Sequence, residues 1–100
     1  MKVSGQYVSP FEIEGVLQKH QSVMESAVVA SHDKDNLVKP KAYVVLNKGY
    51  EDSEDLKKKL TKHIKKFLTP FKYPRWYEFV DVLPKTATGK IQRYKLRKIK

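Results

Sequence analysis

Apolar and polar positions fall in blocks whose period switches between helical and strand-like along the chain. Residues 3–8 (VSGQYV) form a short extended run broken by Ser4-Gly5, the pattern of a strand or hairpin at a glycine turn. Ser9-Pro10-Phe11-Glu12 then reads as a helix start, with Ser9 as cap, Pro10 in the first turn and Glu12 closing a capping box. Val8 and Ile13 stand at the staple positions around that cap. Phe11, Ile13, Val16 and Leu17 continue the helical period to an end near Lys19-His20.

Val23 to Ser31 (VMESAVVAS) and Lys41 to Asn47 (KAYVVLN) predict two strands. The polar loop His32 to Lys39 and Pro40 separate them, so they read as an antiparallel pair. After a turn at Asn47-Lys48-Gly49, Ser53 caps a helix to Leu68, with Leu56, Leu60, Ile64, Phe67 and Leu68 as its apolar stripe. Glu51, Asp52, Glu54 and Asp55 sit at the positive end of that helix dipole, and lysines cover its other faces. Pro70 ends the helix and Pro74 stiffens the connection to the next element. Trp76 to Leu83 (WYEFVDVL) predicts a third strand, Leu83 to Arg93 (LPKTATGKIQR) an exposed loop, and Gln92 to Ile99 a short basic helix. The expected fold is α+β: a small, mainly antiparallel three-stranded sheet with packed helices and an N-terminal β-hairpin.

One hundred residues make one domain with one modest core. A hydrophobic share of 40% suits a folded chain. No apolar run reaches membrane-spanning length, and Met1 leads into a polar, patterned segment with no signal peptide, so a cytoplasmic location without membrane partners is expected. The absence of cysteine excludes disulfides and thiolate metal sites. Charge changes the picture most: 21 Lys+Arg against 11 Asp+Glu leaves a net +10. Such a surface attracts nucleic acid, anionic membrane, nucleotide phosphates or an acidic partner domain, and charge alone does not choose among them.

Candidate chemistry concentrates in two places. Gly89-Lys90 fails the phosphate-loop pattern GxxxxGK[ST], because Pro84 stands at the first glycine and Ile91 at the hydroxyl position. What remains is a lysine after a small, flexible TATG run, fit to clamp a carboxylate and a phosphoryl oxygen as charge moves between them. Phe71-Lys72-Tyr73-Pro74-Arg75-Trp76 interleaves cations and aromatics. That run suits stacking a base and holding phosphates, or equally a core contribution by Phe71 and Trp76 with a cationic rim. His20, His32 and His63 lie far apart in sequence and predict no metal site, and no serine nucleophile arrangement is present.

Several segments together resemble the C-terminal domain of the adenylate-forming acyl-CoA ligases, the superfamily of firefly luciferase and peptide-synthetase adenylation domains. They are Ser4-Gly5 with VSPFEIE (8–14), AVV (27–29) ahead of Asp33, PKAYVVL (40–46), and FKYPRWYEFVDVLPKTATGKIQRYKLR (71–97). They cover nearly the whole chain in order, and the SGQYVSPFEIE wording is similar to benzoate and aryl-acid CoA ligases. The resemblance implies a two-step reaction. A carboxylic acid and Mg-ATP give an acyl-adenylate and pyrophosphate, then coenzyme A displaces AMP. It implies that Lys90 is the adenylation lysine and that Gly5 leaves room for the pantetheine arm. It implies that Phe71, Lys72 and Arg75 hold the nucleotide of coenzyme A; Tyr73 stands where some relatives carry arginine. It further implies that residues 1–100 are a mobile lid whose partner is a large N-terminal ATP- and acyl-binding domain absent from this chain. The piece alone should then be inactive. A different class, a small basic nucleic-acid-binding domain, rests on net charge and residues 71–76 and has no recognised motif behind it. A regulatory reading would make Lys90 an acetylation switch.

Overall fold

The computed structural model describes residues 2–3, 6–7, 9–68 and 73–97. Strands β1 (Lys2–Val3) and β2 (Gln6–Tyr7) pair antiparallel, with Lys2 opposite Tyr7 and Val3 opposite Gln6. Helix α1 (Pro10–Gln18) comes next, then β3 (Val23–His32) and β4 (Val38–Leu46), helix α2 (Glu54–Phe67), β5 (Trp76–Phe79) and helix α3 (Arg93–Arg97). The main sheet has the order β3-β4-β5. The β3–β4 pair is antiparallel and long, with Ala27 opposite Tyr43 and Val29 opposite Lys41. The β4–β5 pair is short and parallel, with Lys41 opposite Trp76 and Val44 opposite Phe79. Parallel neighbours need a crossover, and α2 provides it between β4 and β5. The fold is thus the expected α+β arrangement, with its third strand parallel to the second.

Both faces of the sheet are buried. Val28, Ala42 and Val44 point to one side, where Ile13, Val16 and Leu17 of α1 and Leu56, Leu60 and Ile64 of α2 close over them. Their neighbours Ala27, Val29, Tyr43 and Val45 point to the other side and meet Leu83 and Leu96. The unbroken apolar runs AVVA and AYVVL are the sequence mark of strands covered on both faces. Burying a leucine in such a layer stabilises by roughly 1.5–3 kcal/mol. Leu83 and Leu96 flank the 84–92 segment, so this second core holds both its ends.

Several local expectations change. Ser53 does cap α2, accepting from Leu56 N at 3.0 Å. Ser9 makes no side-chain cap bond, so the serine half of the expected capping box is not made; Pro10 stands in the first turn. Phe11 is 65% exposed, and the buried polar residue of α1 is Glu14. Phe67 is 53% exposed, its ring edge against His63 at 5.1 Å and Lys19 Nζ 5.2 Å from its centroid. The strands run further into the predicted 32–39 loop than the sequence indicates. A turn remains at residues 33–37, in which the Asp33 carboxylate accepts from Asp35 N at 2.9 Å and Leu37 N at 3.0 Å. The third strand stops at Phe79 rather than Leu83. No helix among the described residues is long and apolar enough to cross a membrane.

Candidate functional site

Lys90 lies in a small hairpin that stands off the second core. At its base Lys85 bridges to Ile91, and Gln92 N donates to Pro84 O at 2.8 Å. Lys85 also pairs with Glu25 on β3. Above that base, Thr86 N donates to Lys90 O at 2.8 Å and Gly89 N to Thr86 O at 2.9 Å. Gly89 has φ +86°, a left-handed value that glycine adopts without strain and that lets the chain reverse over three residues. Lys90 is exposed, and its ammonium meets no carboxylate among the described residues. A free cation on a tethered hairpin is available to an anion brought from outside.

The other end of the hairpin is fixed by a group that sequence reasoning missed. Glu14 is buried at the α1–β3 contact. Its Oε2 accepts from Val28 N at 2.7 Å and from Arg93 Nε at 3.0 Å, and Arg93 Nη2 bonds its Oε1. The Arg93 guanidinium also lies 4.6 Å from the Phe11 ring centroid, which explains why that exposed ring stays against the body. Two signals were available: an acid on the apolar face of α1, between Ile13 and Leu17, and an arginine at the start of the basic tail. Neither says that the two meet.

Arg75 lies on a different surface. It lines a groove of about 550 Å³ with Lys57, Lys58, Lys62 and Lys65 of α2 and with Trp76 of β5. Arg75 N donates to Pro40 O at 2.8 Å, which fixes its backbone beside β4. At the groove floor the Tyr77 hydroxyl bonds Thr61 Oγ1 at 2.9 Å, and burial pushes its pKa up to about 12 despite that bond. Lys65 Nζ sits 4.6 Å from the Tyr73 ring centroid. Part of the lysine face of α2 therefore converges with Arg75 into one basic, aromatic-edged groove. No residue of the 84–92 hairpin lines it, so Lys90 and Arg75 belong to separate surfaces of the chain. Gly5, Phe71 and Lys72 lie outside the described residues.

Two of the histidines meet in space, which their spacing in sequence does not indicate. His20 and His63 are far apart in sequence but meet edge to face, ring centroids 5.1 Å apart. His63 Nε2 donates to Val16 O at 2.8 Å, and His20 Nδ1 accepts from Ser22 N at 3.2 Å. Burial, then the charges of His63 and Lys59, hold the His20 pKa below its ordinary value. Among the described residues no group of three or more His, Asp or Glu could hold a metal ion.

The model of the AMP-binding enzyme C-terminal domain matches residues 12–90. Benzoate–CoA ligase of Thauera aromatica is 60% identical over 97 residues, 97% of this chain and 18% of that protein. A 4-hydroxybenzoate–CoA/benzoate–CoA ligase of Rhodopseudomonas palustris is 50% identical over 99 residues, 98% of this chain and 18% of that protein. Among solved structures, a benzoate CoA ligase from Burkholderia xenovorans LB400 superposes with a TM-score of 0.86 at 54% identity, covering 93% of this chain and 19% of that one. An acyl-CoA synthetase of Brucella canis gives 0.91 at 45% identity, covering 95% and 18%. The chain thus spans about a fifth of the length of the ligases it matches. With the family model, the relatives and the fold in agreement, this chain belongs to the AMP-binding enzyme C-terminal domain family, within the acyl-CoA ligase superfamily.

Proposed function

We propose that this chain is the mobile C-terminal lid of an ATP-dependent ligase that joins a carboxylic acid, benzoate or a related aryl acid, to coenzyme A. In the first step the acid's carboxylate oxygen attacks the α-phosphorus of Mg-ATP and pyrophosphate leaves. In the second the thiol of coenzyme A attacks the acyl carbon, its proton is released, and AMP leaves. ATP, Mg and the acid are held mainly by a large N-terminal domain outside this chain. On this reading the whole enzyme works in the cytoplasm, and this piece alone is inactive.

The observation that carries the reading is Lys90: a cation with no carboxylate partner among the described residues, at the end of a hairpin whose base is fastened to the body. An ammonium so presented stabilises the negative charge that builds between carboxylate and phosphoryl oxygen during adenylation. Arg75 and the α2 lysines around it supply a basic groove with an aromatic edge, suited to the phosphates and adenine of coenzyme A. Phe71 and Lys72 are assigned to the same nucleotide, and Gly5 to the passage for the pantetheine arm. The names of the aryl-acid ligases among the relatives support the substrate class.

The test uses the full-length ligase carrying Lys90→Ala. Pyrophosphate release from acid and ATP falls by about 10²-fold or more, while thioester formation from preformed acyl-adenylate and coenzyme A changes little. Equal loss in both half-reactions would refute the assignment.

A further inference from the structure

We infer that Thr86 is a positioning residue for adenylation, its hydroxyl setting the direction in which Lys90 leaves the hairpin. The inference rests on the role proposed for Lys90. The geometry behind it is local. Ala87, Thr88 and Gly89 form a three-residue turn, closed by Gly89 N donating to Thr86 O at 2.9 Å. In such a turn the left-handed glycine takes the carbonyl that the next residue's N–H would otherwise use. The N–H left over belongs to Lys90. Thr86 Oγ1 accepts it at 3.1 Å. Thr86 N meanwhile donates to Lys90 O at 2.8 Å. Both main-chain polar atoms of Lys90 therefore end on one residue, and one of the two bonds is made by a side chain.

Thr86 Oγ1 is itself held by Thr88 Oγ1 at 3.0 Å, so the acceptor is oriented from within the turn. The body of the domain does not depend on this hydroxyl. Thr86 is exposed, and the ties to β3 and across the hairpin base are made by Lys85, Ile91, Pro84 and Gln92. Lys90 has a long side chain, so a small error at its Cα is magnified at the ammonium. A tilt of about 10° over roughly 6 Å of side chain moves Nζ by about 1 Å, and a misplacement of that size can cost about 10²-fold in rate. Loss of the hydroxyl should thus slow the chemistry without loosening the fold.

The experiment compares Thr86→Val, which keeps the shape and deletes the acceptor, with Thr86→Ser, which keeps the acceptor, in the full-length ligase. Thr86→Val is expected to lower kcat for pyrophosphate release roughly ten- to hundredfold, with KM for acid and ATP and the melting temperature unchanged. Thioester formation from preformed acyl-adenylate is expected to stay at the wild-type rate, and Thr86→Ser to restore adenylation. Wild-type adenylation by Thr86→Val, failure of serine to rescue, or equal slowing of both half-reactions overturns the inference. Lys90→Ala is measured beside them. If that variant still adenylates, the role of Lys90 falls and this inference falls with it. If it does not, and Thr86→Val behaves as wild type, only the positioning role falls.

Discussion

Glu14 and Arg93, 79 residues apart, are joined at two points, Nε to Oε2 at 3.0 Å and Nη2 to Oε1, with Val28 N on the same carboxylate. One buried charge thereby ties α1, β3 and the start of α3 together, three positions after Lys90. Such a pair is costly to break from one side, because the remaining charge stays buried without a partner. Arg93→Met should lower stability by about 3–5 kcal/mol, read from urea unfolding of the domain. Adding Glu14→Gln to that variant should raise stability again. The neutral amide keeps an acceptor for Val28 N and no longer carries an unpaired charge. A double variant less stable than Arg93→Met would contradict a buried ion pair.

The second core makes a separate prediction about how the hairpin is held. Leu83 precedes the hairpin, and α3 comes after it with its Leu96 carbonyl accepting from the buried Tyr43 hydroxyl at 3.2 Å. Leu83→Ala empties part of that layer and should cost about 2–5 kcal/mol. Tyr43→Phe removes one hydrogen bond and should cost about 0.5–1.5 kcal/mol. Hydrogen exchange should show the difference in kind: Tyr43→Phe loosens α3 first, whereas Leu83→Ala lowers protection across the sheet.

Part of the local structure is legible in the sequence. Ser53 with Leu56, Leu60 and Ile64 defines α2, because caps and helical period are set by neighbouring residues, whereas residues 83–93 read only as an exposed loop and the hairpin with its left-handed Gly89 came from the structure. The parts that escaped depend on residues distant in sequence. Phe11 fits the apolar period of α1, yet it lies outside the core under the guanidinium of Arg93. Glu14 breaks that period and is buried, since its charge is answered from α3. His20 and His63 meet only because α1 and α2 pack on the same face of the sheet. The joining of Arg75 to the α2 lysines likewise required knowing that β5 returns parallel to β4.

His20 gives the domain a pH dependence of definite sign. The His20 pKa is lowered in the fold by burial first, then by His63 and Lys59; Lys62 and Lys66 line the same cleft. The unfolded chain therefore takes up a proton more readily than the folded one, and stability rises with pH across that window. As pH falls through about 6.5, the ordinary value for histidine, the domain should lose stability until the folded-state group also protonates. His20→Asn should flatten this part of a melting-temperature profile taken between about pH 5 and 8. An equally steep profile in the variant would assign the dependence to other groups.

If the groove holds coenzyme A as proposed, a change there gives a defect confined to the second half-reaction. Arg75 is fixed at its backbone by Pro40 O and shares the groove with Lys62 and Lys65. A charged hydrogen bond to phosphate is worth about 1.5–3 kcal/mol. Arg75→Ala in the full-length ligase should therefore raise KM for coenzyme A by about tenfold or more and leave pyrophosphate release from acid and ATP unchanged. Coenzyme A lacking its ribose phosphate separates the contacts. If Arg75 holds that phosphate, the wild type binds the truncated form weakly and Arg75→Ala adds no further loss. If Arg75 holds the diphosphate, the two losses add, since independent contacts do so. Rising salt should weaken coenzyme A binding more in the wild type than in Arg75→Ala, because one screened charge pair has been removed. A variant with unaltered KM for coenzyme A and an unaltered salt response would move the nucleotide away from this groove.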